Sequence, residues 1–344
     1  MTMGWLQVKS LVIFLALISF QVFAAEECDR ICIYKKAMNL LKADKSLLAI
    51  KELKKSAEAD YVPAIAMLCS IYFTGKYAEP DHSDNNGWCA SSAKSGDIEA
   101  NLLAGQAQEN NGNYEKAVEY YAKAAKRENA AGQYFLAQAY LTGRGVEKNY
   151  EKAFELFQSL AHKGDMRAQF FMGYFYETGK GVERSLNKAV EWYKMSADKN
   201  HPPAVASLAY FYRYGEAEPY IKKEPKRARN LYASIADKYI LAQLNLGEMF
   251  ETGEGGEIDK LQAVSLYKKA ALQGSDEANQ RLAEIYSLGE GVSVDYVKAV
   301  AFYSMSQQAD GGFSKYMISV VKGLDKAQRE KVEKLLKNPS LLYE

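Results

Sequence analysis

The sequence predicts an all-α chain folded as a solenoid of stacked helix pairs, and three observations predict it. A nine-residue pattern, small at the first place, apolar at the fifth, small at the sixth and aromatic at the ninth, stands at Ala168 to Tyr176 and returns along the chain. Each copy is followed by a second segment in which small and large residues alternate at helical spacing. Four copies carry a Gly-x-Gly turn between the two segments.

The amino-terminal segment stands apart from this pattern. Lys9 is the only charge before the apolar run Leu11 to Phe20, and Val22, Phe23 and Ala24 follow with small residues where a cleavage site needs them. Positive, then apolar, then small is the order of a secretory signal peptide, so residues 1–24 are expected to be removed on export. A lipid anchor does not fit, because Glu26 and Glu27 precede Cys28 where a lipobox needs small uncharged residues. No later run is long and apolar enough to span a bilayer, so no membrane insertion is expected after cleavage. The expected location is periplasmic or secreted.

The 320 residues that remain carry 43 basic and 43 acidic side chains. A balanced chain has no basic surplus for nucleic acid or an anionic membrane, and nucleic acid is not expected as a partner. The four cysteines, Cys28, Cys32, Cys69 and Cys89, all lie near the amino-terminal end. In an oxidising compartment two disulfides stapling that end are the default, with three connectivities open.

Full copies of the nine-residue pattern begin at 132, 168, 204, 242 and 278, and weaker ones at 64 and 100. Successive starts are 36, 32, 36, 36, 38 and 36 residues apart, a period that marks a repeat architecture. The second segment pairs a small residue with a large one four later, as in Ala117/Tyr121, Ala153/Phe157, Ala189/Tyr193, Ala228/Tyr232, Ala263/Tyr267 and Ala299/Tyr303. That spacing puts both on one helical face. Small residues such as Gly173 and Ala189 let two helices approach, and Tyr176 and Tyr193 are expected to fill seams between pairs. One pair cannot bury its own apolar stripe, so pairs must stack.

The turns Thr142 to Val146, Thr178 to Val182, Thr252 to Gly256 and Leu288 to Val292 supply glycines for the positive φ that ends a helix. A nucleotide loop would need a preceding strand, and helices flank these glycines, so no cofactor is expected. Residues Leu324 to Leu336 place Val332, Leu335 and Leu336 at helical spacing among Lys and Glu, as a capping helix would.

These elements resemble the Sel1-like repeat family, a branch of the tetratricopeptide-like α-solenoids. The resemblance rests on the small-residue start, the Leu-Gly or Met-Gly pair with a later Tyr, the Gly-x-Gly-Val turn and the run Lys188 to Tyr193. It implies a right-handed α/α superhelix of about seven to eight stacked pairs over residues 25–312, closed by capping helices in 313–344. Three places depart from the family pattern. The copy at Ala100 has a short turn at Asn110 to Asn113, and the copy at Ala204 replaces its turn with Tyr214 to Arg227, including Pro219 and Pro225. The copy at Ala64 puts Cys69 at the helix-packing small position and Cys89 at the aromatic position of the partner helix. In the family those positions face each other, which implies a Cys69–Cys89 bridge and leaves Cys28 with Cys32.

The resemblance also implies function. Such chains hold other proteins, and exported bacterial members look like envelope adaptors. The expected role is an exported protein–protein interaction scaffold whose partner is another envelope or extracellular protein. Peptidoglycan, bound as glycan or peptide, is the alternative partner, and a weak hydrolase acting on cell-wall-like or β-lactam substrates is a third reading. In tetratricopeptide-like stacks the first helix of each pair lines the concave side. The positions three before, one after and four after its inner small residue are then Tyr134, Gln138, Phe170, Tyr174, Glu177, Tyr210, Arg213, Glu248, Glu251 and Glu284. Rings gather at the middle and carboxylates towards the carboxy-terminal end, suiting a peptide or helix with some positive charge. No catalytic constellation is expected: His82, His162 and His201 lie in different repeats without metal-ligand spacing.

Overall fold

The computed structural model describes residues 29–77, 82–94, 98–306 and 311–343. All regular structure among them is helical, so the chain adopts the expected all-α solenoid class. The helices are α1 (residues 29–42), α2 (Ser46–Glu58), α3 (Val62–Thr74), α4 (His82–Lys94), α5 (Ile98–Asn110) and α6 (Tyr114–Lys126). They continue with α7 (Ala130–Thr142), α8 (Tyr150–His162), α9 (Met166–Thr178), α10 (Leu186–Ala197), α11 (Pro202–Tyr214) and α12 (Pro225–Ile235). The last are α13 (Ile240–Thr252), α14 (Lys260–Leu272), α15 (Asp276–Leu288), α16 (Tyr296–Met305), α17 (Gly311–Gly323) and α18 (Lys326–Lys337). The proposed leader, residues 1–24, and Cys28 lie outside the described residues.

Two compact units divide between Leu160 and Ala161. Within the first, each helix from α3 to α6 packs on the next. Within the second, the same sequential contacts run from α9 to α16, and α16 then receives α17 and α18. Contacts dominated by chain neighbours are what a solenoid of helix pairs requires. The seven pattern copies seen in the sequence fall in α3, α5, α7, α9, α11, α13 and α15, the first helices of successive pairs.

Local chemistry fixes the helix ends. The side chains of Asn129, Asp165, Ser185, Asp259, Ser275 and Asp295 accept hydrogen bonds from first-turn amides of α7, α9, α10, α14, α15 and α16. Each such cap satisfies a donor the helix itself leaves open. At the other end of α13, Gly253 adopts φ 72°, a left-handed conformation that costs a residue with a Cβ about 1–2 kcal/mol. Gly255, at φ 77°, has a second reason to be glycine. A Cβ there would run into the backbone of Pro225 and Lys226, so the turn lies directly on the start of α12 in the preceding pair. The Gly-x-Gly signature thus ends one helix and seats the turn on its neighbour.

The core of each pair is built on close approach. A Cβ on Gly173 would lie 2.5 Å from the ring of Tyr193, which is 1% exposed. Tyr193 therefore fills its own pair, and it also meets Phe211 of the next pair at a centroid distance of 6.1 Å. Burying a ring of this size contributes roughly 1.5–3 kcal/mol. Gly173→Ala should push that ring off its seat and cost about 1–3 kcal/mol, read as a lowered thermal midpoint by circular dichroism. Gly323→Ala, where a Cβ meets open space, should leave the midpoint nearly unchanged; equal midpoints for both variants would refute the packing account.

Cys69 of α3 and Cys89 of α4 form the expected disulfide, with Cα atoms 4.7 Å apart. Both are buried among Ala93, Ala104 and Ala107, so the bridge occupies the space that a small residue and a ring fill in the other pairs. The other pairing, Cys28 with Cys32, involves a residue outside the described ones. At the carboxy-terminal end α18 packs on α16, burying Val332, and Leu342 of the final 3₁₀ turn is fully buried.

Candidate functional site

In the second unit the outward positions of α9, α11, α13 and α15 form the surface to which the sequence assigns binding. Its framework is a triad that recurs. Where the inner small residue is glycine, the second-helix tyrosine lies over it and its hydroxyl reaches a glutamate one turn further along the first helix. Tyr193 donates to Glu177 at 2.5 Å above Gly173, and Tyr267 donates to Glu251 at 2.8 Å above Gly247. In the first unit Tyr121 donates to Glu109 at 2.8 Å above Gly105. Burial and the adjoining carboxylate hold the Tyr193 and Tyr267 hydroxyls well above the ordinary phenol range, so they act as fixed donors.

Arg213 occupies the glutamate position of the pair built on Ala209. Its guanidinium donates through Nε to Glu254 at 2.6 Å and through Nη1 to Glu248 at 2.9 Å and Asn245 at 3.1 Å. The centroid of the Tyr214 ring lies 4.9 Å from it. Burial opposes the charge, and the two carboxylates outweigh that, so the group is held above its ordinary range. Arg281, two repeats further on, ties α15 to α13 in the same way, bridging Glu251 at 3.1 Å and Glu284 at 2.5 Å.

Between α13 and α15 these side chains border a cavity of about 420 Å³. Tyr267 lines it together with Leu241 and Leu244; Glu248, Glu251, Glu277 and Glu284 supply negative charge and Arg281 positive. Beside it on α11, Tyr210 and Tyr214 present rings with centroids 4.7 Å apart, and both are exposed at about two-fifths. The Tyr210 hydroxyl donates to Glu216 at 2.6 Å, and that bond together with burial pushes it up to about 12.

The residue after each helix-ending glycine also reaches back to this face. Lys180 donates to the Tyr174 hydroxyl at 2.5 Å, Glu216 accepts from Tyr210, Glu254 holds Arg213, and Glu290 lies 3.8 Å from Arg281. In the first unit the equivalent Arg144 lies over the Tyr114 ring.

The structure brings Glu248, Glu251 and Glu284 to one cavity. It revises several other assignments. Arg213 is 3% exposed and serves as a tie between α11 and α13, because the carboxylates of the next pair enclose it. Phe170 is half-buried against Tyr193 and His201, and Tyr134 is half-buried against Phe157 while accepting a hydrogen bond from Gln138. The Glu251 side chain is 8% exposed, held by Tyr267 and Arg281. Tyr174, Tyr210, Glu248 and Glu284 retain surface, while Glu177 serves the Tyr193 triad. Sequence reading missed Arg281, Tyr214, Asn245 and the cavity walls. The identical spacing of Gly173, Glu177 and Tyr193 and of Gly247, Glu251 and Tyr267 is a signal that would have found the triads.

Among the described residues no group of His, Cys, Asp and Glu is placed to hold a metal ion. His162 ends α8 with its ring edge-on to Trp192, and His201 precedes α11 half-buried, its pKa lowered chiefly by desolvation. The side chain of His82 lies outside the description. No described helix is long and apolar enough to cross a membrane.

Stacked helix pairs whose charges and rings face outward along the first helices define the class of α-solenoid repeat proteins. The chain belongs to the Sel1 repeat family: the family pattern matches residues 62–97, 102–129, 130–165, 167–201, 202–239, 240–275 and 276–306. Sel1 repeat solenoids are in general scaffolds for protein–protein interaction rather than enzymes. The crystal structure of a Sel1 repeat protein from Oxalobacter formigenes is similar at 24% identity, with 84% of this chain and 86% of that one covered and a TM-score of 0.65. A protective antigen present in uropathogenic Escherichia coli strains, displaying an SLR fold, shares 26% identity over 86% of this chain and 72% of its own, with a TM-score of 0.48. No curated protein matches the sequence.

Proposed function

We propose that this chain is an exported interaction scaffold of the cell envelope that holds a partner peptide or helix on the outward face of α9, α11, α13 and α15. The observation that carries this reading is the exposed Tyr210–Tyr214 ring pair standing beside a 420 Å³ cavity. Rings on a rigid helix bury much area with few rotors, and a neighbouring pocket gives an anchor residue somewhere to go. Export is supported by the leader-like order of residues 1–24 and by the buried Cys69–Cys89 disulfide, a bond that persists in oxidising compartments.

Affinity capture from a cell-envelope extract, read by mass spectrometry, tests the proposal. A stoichiometric protein partner is expected with the native chain. The Tyr174→Ala/Tyr210→Ala double variant should lose it while keeping its helical circular dichroism. Equal recovery by both, or retention on purified sacculi in place of any protein, would count against the scaffold.

A further inference from the structure

The carboxy-terminal repeats are electrostatically unlike the balanced chain around them. Residues 240–306 carry ten acidic and five basic side chains. Of the five, Lys260, Lys268, Lys269 and Lys298 belong to the second helices α14 and α16, so Arg281 is the only cation on α13 and α15. The cavity between those two helices is therefore walled by four glutamates against one arginine, and Leu241, half exposed, forms part of its rim. Glu248 joins the cavity to the tyrosine pair, since it lines the first and holds Arg213 beneath the second.

The chain shows on this same face what kind of group suits it. Arg213 sits between two carboxylates with a tyrosine ring alongside, and Arg281 sits between two carboxylates at the cavity wall. A planar guanidinium satisfies both demands at once, donating in a fork to carboxylates and stacking on a ring, which an ammonium does less well. Glu248, with its side chain 54% exposed, and Glu277 in the exposed first turn of α15 extend the same chemistry towards solvent.

We infer that the α11–α13–α15 face binds a peptide segment of another protein through an arginine that enters the cavity between α13 and α15, with the adjoining part of the segment lying on Tyr210 and Tyr214. This rests on the scaffold reading and names the chemistry of its partner. Charge complementarity commits the site to a basic segment: Arg281 is shared between Glu251 and Glu284 and Arg213 between Glu248 and Glu254, so a negative surplus remains that repels a polyanion and that a neutral glycan would not offset. The leucines of the cavity suit the methylene stem of the arginine, and the glutamates suit its head.

The full-length chain is to be panned against a random peptide library displayed on phage at low ionic strength. The selected peptides are then synthesised and their binding measured by fluorescence anisotropy. Arginine-bearing sequences should dominate, and their affinity should fall as salt rises. The Glu248→Gln/Glu284→Gln variant should bind them at least about tenfold more weakly. Glu277→Gln, a change in an exposed first turn, should also weaken binding, and its fold is not in question. Selected peptides without basic residues, or an arginine peptide bound equally by the native chain and both variants, would overturn the inference. If such uncharged peptides nonetheless displace a protein captured from envelope extract, the scaffold reading stands and the arginine site falls. If neither peptide nor protein binds, both fall.

Discussion

Arg213→Ala should destabilise the second unit by about 3 kcal/mol, among the largest effects of any single substitution on this chain. The guanidinium is almost wholly enclosed and makes hydrogen bonds to Glu254, Glu248 and Asn245. Its loss leaves two carboxylates facing a void. The cost sits at the lower end of the range for a broken buried pair because Glu248 and Glu254 keep side-chain exposures of 54% and 25% and can draw in water. In a stack held together by neighbour contacts, weakening the tie between α11 and α13 should also lower cooperativity. Denaturation in guanidinium chloride, followed by circular dichroism, should show an earlier and broader transition. Arg213→Lys should rescue little, since an ammonium cannot make the same fork. An unchanged midpoint for Arg213→Ala would refute the role given to this residue.

Loss of the Cys69–Cys89 bridge should cost a similar amount at the other end of the chain. The bridge closes a loop with a sequence separation of 20, for which the chain-entropy account gives about 3 kcal/mol. Alanine at position 69 is the residue type that fills this inner position in other repeats, so Cys69→Ala/Cys89→Ala removes the bond with little overpacking. The expected result is an earlier unfolding transition for the amino-terminal repeats. The transition of the second unit should stay where it was, because repeats feel chiefly their neighbours. A double variant as stable as the native chain would show that the bridge contributes nothing beyond the packing of α3 on α4.

The repeat was legible because helical pairs that must stack impose a period on residue size. Gly173, Tyr193 and their counterparts are placed by sterics, and sterics leave a plain trace in the sequence. The site was legible only in part, for a reason visible at Arg213 and Phe170. Counting from the inner small residue tells which way a side chain points along its own helix. It does not tell what the next pair brings to meet it. Glu248 and Glu254 arrive from the following repeat to enclose Arg213, and His201 arrives from the start of α11 to cover Phe170. Arg281 escaped notice for the complementary reason. It lies outside the counted positions, and only the carboxylates of Glu251 and Glu284, which it bridges, explain its place.

The residue behind three of the helix-ending glycines, Lys180, Glu216 or Glu290, stands on the face proposed to bind a partner and outside the Arg213 tie. Lysine and glutamate codons differ at a single base. One nucleotide change in one repeat can therefore invert the charge presented at that point and leave the glycine, the tyrosine and the helix spacing as they were. A lineage can re-address such a protein to a new partner in small steps, each of them tolerated by the fold, with the repeats serving as separately editable letters of one recognition word.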